Sequence, residues 1–179
     1  MKRAIGILLL ATMMTGCQIV GMKTTDSAEL APVPFVDIDR FMGDWYVIAA
    51  IPARIEREAF NAIESYKLNE DGSIATTYTF RKGGFDGKAK RYTPTGFVLD
   101  KDSNAIWGMR FIWPFKADYR IIYLTGDYQH TIIGRNKRDY VWIMSRTPKV
   151  SEPKFSEMMA VISSVGYDSN LVRRIPHQW

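Results

Sequence analysis

Between Gly43 and Arg146 the chain breaks into eight short runs of β character, each bounded by residues that reverse a chain, and no other feature restricts the fold so strongly. The runs span about residues 43–51, 61–69, 73–81, 87–99, 104–112, 117–125, 127–134 and 139–146. Glu70-Asp71-Gly72, Gly83-Gly84, Thr125-Gly126 and Asn136-Lys137-Arg138-Asp139 supply the positive φ or the side-chain turn bonding that hairpins need. Neighbouring strands are therefore expected to pair, giving an all-β, eight-stranded antiparallel up-and-down barrel. Thr147-Pro148 then stops the ladder, and Ser151-Glu152-Pro153 opens a helix with a cap and a proline in its first turn. Phe155, Met158, Met159, Ile162 and Val165 form one apolar stripe and Gly166 ends it, which predicts one C-terminal α-helix packed outside the barrel. Strands of about eight residues make a barrel about 20 to 25 Å deep, a depth that suits an acyl chain. The small residues Ala49, Gly96 and Gly108 are expected to leave room inside.

The N-terminus belongs to a different kind of segment. Met1-Lys2-Arg3 is positive, Ala4 to Met14 is apolar, and Thr15-Gly16-Cys17 ends the run with small residues before a cysteine. The run falls short of the roughly 20 apolar residues that cross a bilayer, so residues 1–16 read as a cleaved signal. Met14-Thr15-Gly16-Cys17 resembles the lipobox of bacterial lipoproteins, with Met where Leu is usual, and the resemblance implies acylation of the Cys17 sulfur. Cys17 is the only cysteine, so no intrachain disulfide competes for it. Gln18 follows it, whereas Asp there resembles the signal for retention in the inner membrane; the expected location is the outer membrane, facing the periplasm. Residues 17–34, rich in Thr, Ser, Ala and Pro, read as an acylated flexible tether, and residues 35–179 as the folded domain. Lys2 and Arg3 leave with the signal, so 22 cations face 19 anions, an excess too small and scattered for a nucleic-acid partner.

The residues at the two ends of the predicted barrel carry a further resemblance. Gly43-Asp44-Trp45-Tyr46 resembles the Gly-x-Trp signature that opens the first strand of a lipocalin, and Met144-Ser145-Arg146-Thr147-Pro148 looks like the family's closing arginine motif. With Tyr66 to Gly72, Gly87-Lys88-Ala89 and Trp113-Pro114-Phe115 between them, residues 35 to 176 are similar to the bacterial outer-membrane lipoprotein lipocalins, relatives of apolipoprotein D. Physical reasoning gives Trp45 and Arg146 a structural part beside Gly43: closing a sheet brings its first and last strands together, and a guanidinium can then stack on the indole. Two departures stand out. Thr125-Gly126-Asp127-Tyr128 interposes a glycine in the family's Thr-Asp-Tyr turn, and Gly87 to Phe111 is long, which predicts an extended hairpin around Lys101-Asp102-Ser103-Asn104 reshaping the open end.

The resemblance implies a fatty acid or lysophospholipid in the cavity, held by no cofactor and no metal, with a homodimer as one state open to the chain. Alternation from Arg146 turns Trp142 inward, and alternation from Trp45 does the same for Val47 and Ala49. Met109, Phe111, Tyr119 and Tyr123 are further candidate contacts, with Lys116 and Arg110 placed to meet a head group at the mouth. An anchored lipid hydrolase is the competing reading, and a structural envelope protein with a filled barrel a third. The chain has two histidines, His130 and His177, and no Gly-x-Ser-x-Gly elbow, so no catalytic set is singled out.

Overall fold

The computed structural model describes residues 28–179. The signal segment, Cys17 and the first part of the tether lie outside the described residues. Eight strand positions close into one antiparallel barrel, with the predicted helix on the outside. The strands are β1 (Gly43–Ile51), β2 (Ala59–Leu68), β3 (Ser73–Lys82), β4 (Lys88–Tyr92), β5 (Thr95–Val98), β6 (Ile106–Ile112), β7 (Phe115–Leu124), β8 (His130–Gly134) and β9 (Val141–Ser145). Closure comes from β1 pairing with β9, Tyr46 opposite Ser145 and Ile51 opposite Val141.

The fourth predicted strand is two strands. Thr93-Pro94 interrupts it, because proline has no N–H to give to a ladder. β5 joins β3 to β6, while β4 pairs, among the described residues, with β3 alone. A second gap, where β2 leaves β1 beyond Tyr46, is filled by the C-terminal tail. β10 (Arg173–Arg174) pairs with Ala49 and Ala50, Ile175 N–H donates to the Ile48 carbonyl, and Asn61 N–H donates to the Pro176 carbonyl.

The hydrophobic core has two parts. The lower half of the barrel is filled with side chains from Trp45, Val47, Tyr66, Ile74, Trp107 and Met144, closed from below by Phe41 of the short helix α1 (Ile38–Phe41). The second part lies between the wall and α2 (Glu152–Ser164), where Met158 and Ile162 meet Ile48, Ile132 and Ile143. Ser151 Oγ caps α2 by accepting from Lys154 N–H. Gly166, at φ +90°, ends that turn.

The chain around the barrel departs from expectation in two places. Residues 28–36 do not hang free. Leu30 is 1% exposed, its N–H donates to Asn136 Oδ1 (2.7 Å), and its carbonyl accepts from Arg120 Nη1 (3.0 Å). Arg120 also pairs with Glu29 at 2.8 Å, and Arg138 Nη2 donates to the Ala28 carbonyl. The composition of this stretch reads as a linker, but buried Leu30 and the Arg120 partners bind it to the barrel. The Lys101–Asn104 hairpin also lies at the closed end rather than the open one. Asn104 Nδ2 donates to the Val36 carbonyl and Val36 N–H to the Ser103 carbonyl, which ties the hairpin to the floor.

Candidate ligand cavity

The floor of the barrel is fixed by the two residues that its ends bring together. The Arg146 guanidinium lies 3.8 Å over the Trp45 ring and donates to the carbonyls of Asp44 (2.8 Å), Arg40 (2.8 Å) and Phe41 (3.1 Å). Gly43 has φ +90°, and a Cβ there would stand 3.5 Å from the same guanidinium. The departing turn at Thr125 to Tyr128 is absorbed by Tyr128 adopting φ +61°. Thr125 Oγ1 donates to Asp127 Oδ1 (2.6 Å), the Tyr128 hydroxyl accepts from Asp37 N–H, and Arg40 covers the Tyr128 ring at 3.9 Å. These residues hold the base shut and leave open space only above it.

That space is a cavity of about 230 Å³ in the upper half of the barrel. It is smaller than the roughly 300–1,000 Å³ of pockets that enclose a drug-sized ligand. Its apolar walls include Trp142, Met109, Phe111 and Tyr119, together with Tyr92 and Tyr140. Trp142 faces inward because β9 is regular, so the alternation from Arg146 reaches it without a break. Val47 also points into the barrel, but it is fully buried in the packed lower half and does not line the cavity.

Ala49 and Tyr123 turn the other way, and both reversals have the same cause. The register of β1 against β9 shifts between Val47 and Ala49, so Ala50 takes the inward place and Ala49 packs towards α2. The register of β7 against β8 shifts between Ile121 and Tyr123, and the Tyr123 hydroxyl donates to Glu157 Oε1 of α2 (2.6 Å). One extra residue in a strand reverses every later side chain, and parity counting carries no sign of it. The small residues do not make the space either. A Cβ on Gly96 would meet Met109 Sδ at 3.1 Å, and one on Gly108 would meet the Lys116 side chain at 3.0 Å. Lys116 and Arg110 lie over the Phe97 ring, at 4.2 Å and 4.7 Å, rather than at the mouth.

The cavity also holds acids that the sequence reading did not single out. Glu64 lines it, directly opposite Tyr78 in the β2–β3 register. Glu56 is folded in from the β1–β2 turn, where its Oε2 accepts from Ala53 N–H (2.9 Å). The signal for Glu64 was available: it shares a strand face with Ala62 and Tyr66, both buried. Glu56 sits in a turn, where no periodicity points inward. Burial among the cavity walls pushes the Glu64 carboxyl up to about 8, nearby Glu56 adds to that, and the Tyr66 hydroxyl opposes it. Glu56 is raised by burial too, against the Ala53 amide and the Trp142 side chain, which favour its charged form. Beneath them the Tyr66 and Tyr119 hydroxyls are 2.6 Å apart, and burial holds both phenols protonated.

At the rim the β6–β7 hairpin carries Phe111, Ile112, Trp113 and Phe115, each between 60 and 79% exposed. Neither histidine belongs to the cavity. His130 pairs with Ser145 where β8 begins, and His177 Nε2 lies 3.0 Å from the Val47 carbonyl.

A sequence model of the lipocalin-like domain matches residues 36–177 of the chain. "Temperature-induced lipocalin-1" of Arabidopsis thaliana is 31% identical over 164 residues, covering 85% of each protein. "Outer membrane lipoprotein Blc" of Escherichia coli (strain K12) is 32% identical over 138 residues, covering 74% of each. Among solved structures, insecticyanin from the tobacco hornworm Manduca sexta superposes with a TM-score of 0.66 at 14% identity, covering 84% of this chain and 85% of that one.

Proposed function

The chain belongs to the lipocalin family, and from that premise we propose that it is a lipid-anchored binding protein of the outer membrane, facing the periplasm, that stores or carries fatty acids or lysophospholipids during envelope maintenance. The observation that carries this reading is the upper cavity, apolar over Trp142, Met109, Phe111 and Tyr119 and open beside an exposed apolar hairpin tip. A cavity of about 230 Å³ takes one end of an amphiphile, and the remainder lies along Phe111, Trp113 and Phe115. The same tip would rest on the membrane surface, burying side chains worth roughly 1.5–3 kcal/mol each. The chain's likeness to a relative named as an outer membrane lipoprotein supports acylation at Cys17.

The position of the N-terminal segment supports it from another direction. Ala28 is held by Arg138 in the β8–β9 loop, and Arg135 of the same loop lines the cavity. Ten residues lie between Cys17 and Ala28, a reach of about 35 to 40 Å when extended. The described chain thus begins at the mouth end of the barrel, which favours an anchor at Cys17 that presents the mouth to the bilayer. The reading is of a binding protein and not an enzyme.

Mass spectrometry of lipids extracted from protein purified without detergent tests the reading. The wild-type chain should carry a monoacyl lipid, and Trp142→Arg should lose it while keeping the melting temperature within a few degrees. Unchanged lipid content in Trp142→Arg would remove Trp142 and the cavity from the account.

A further inference from the structure

The cavity is apolar in area but not in charge. Glu64 and Glu56 both reach it, and Tyr78, 6% exposed, directs into the same place a buried hydroxyl that has no hydrogen-bond partner in the protein. Of the other charged groups that line it, Asp118 is already answered by Arg120 Nε (3.0 Å) and by Asn136 N–H (2.6 Å). Arg135 also lines it; its guanidinium pairs with Asp139 at 3.3 Å and lies 5.0 Å over the Tyr140 ring, which leaves its buried Nε without a partner among the described residues. Glu64 itself faces the phenols of Tyr66, Tyr78 and Tyr119 and the carboxyl of Glu56, and no cation among these. Tyr92, Tyr140 and Trp142 add electron-rich ring faces around the same space.

We propose that the polar group selected here is a cation, an ammonium or quaternary ammonium borne by a long-chain amphiphile, inserted head-first between Glu64, Glu56 and the Tyr78 hydroxyl. The proposal rests on the amphiphile-binding reading and narrows it, from fatty acids and lysophospholipids alike to amphiphiles with a cationic head group, entering head-first. Once ionised, two carboxyls in a desolvated space attract a cation and repel a ligand carboxylate, and aromatic faces stabilise an ammonium where water is excluded. The volume fits a head group and its first methylenes, with the chain leaving along the exposed Phe111–Phe115 tip. Head-first entry also explains why the lower half of the barrel can be filled without loss of a binding site.

The test compares three sixteen-carbon probes below their micelle concentrations by calorimetry on the purified mature protein: hexadecyltrimethylammonium, hexadecanol and hexadecanoate. At pH 8 the cation should bind at least about tenfold more tightly than hexadecanoate. Its affinity should rise by up to about tenfold per pH unit between pH 6 and 8, because one proton leaves Glu64 as it binds. Glu64→Gln should abolish that slope and the preference while leaving hexadecanol binding as it was, and Glu56→Gln should weaken cation binding in the same sense. Hexadecanoate binding as tightly as the cation at pH 8, or a slope that survives in Glu64→Gln, overturns the proposal. Binding of hexadecanol with no advantage to the cation overturns it and leaves amphiphile binding standing; binding of none of the three overturns both.

Discussion

Glu64 is a buried acid whose ionisation costs the folded state stability. Its carboxyl is pushed up to about 8 in the folded state, chiefly by burial, against an ordinary value of 4.5. The folded chain therefore binds more protons than the unfolded chain between those two values, and stability falls as pH rises through that window, by at most about 1.4 kcal/mol per unit for this group. Glu64→Gln removes the dependence. Its melting temperature should exceed that of the wild type at pH 8 and match it at pH 4.5, which thermal unfolding at the two pH values measures; equal differences at both would sink the account. At this scale the sequence was readable wherever a strand ran without a bulge. Trp142 follows from Arg146 by counting in twos, whereas Ala49 and Tyr123 fail because β1 and β7 each carry an extra residue.

Among the elements, α2 is the clearest in the sequence, since its cap, its stripe and its terminating glycine are all local features. The C-terminal tail is the least so. Residues 173–178 have no β signature of their own, and they become wall only because β2 bulges away from β1 and leaves backbone groups to satisfy. Buried Ile175 seals that seam against the core. Ending the chain at Val172 should cost about 3.5–5 kcal/mol, from one apolar side chain at about 1.5–3 kcal/mol and the backbone hydrogen bonds of Ile175 and Pro176 at about 1 kcal/mol net each. Urea denaturation reads the loss, and a change under 0.5 kcal/mol would mean that the tail merely rests on the barrel. The long run from Gly87 to Val98 illustrates the opposite case. Its single proline was in view, and it splits one expected strand into β4 and β5.

For the whole molecule, the mouth, the apolar tip and the exit of the N-terminal segment lie at one end. Trp113→Asp should therefore reduce co-sedimentation of the unacylated protein with anionic vesicles by about tenfold, the equivalent of about 1.4 kcal/mol, with the melting temperature unchanged. Undiminished sedimentation would place the membrane contact elsewhere. Barrel closure was legible because its two ends carry Trp45 and Arg146, but the packing of residues 28–36 was not, since Glu29 and Leu30 find Arg120 and Asn136 only after the barrel has formed.

That packed segment has a mechanical consequence. A pull applied at residue 28 is not spent on slack chain: it loads Arg138, Asn136 and Arg120 directly, and through them the β8–β9 loop that carries Arg135 and Tyr140 beside the cavity.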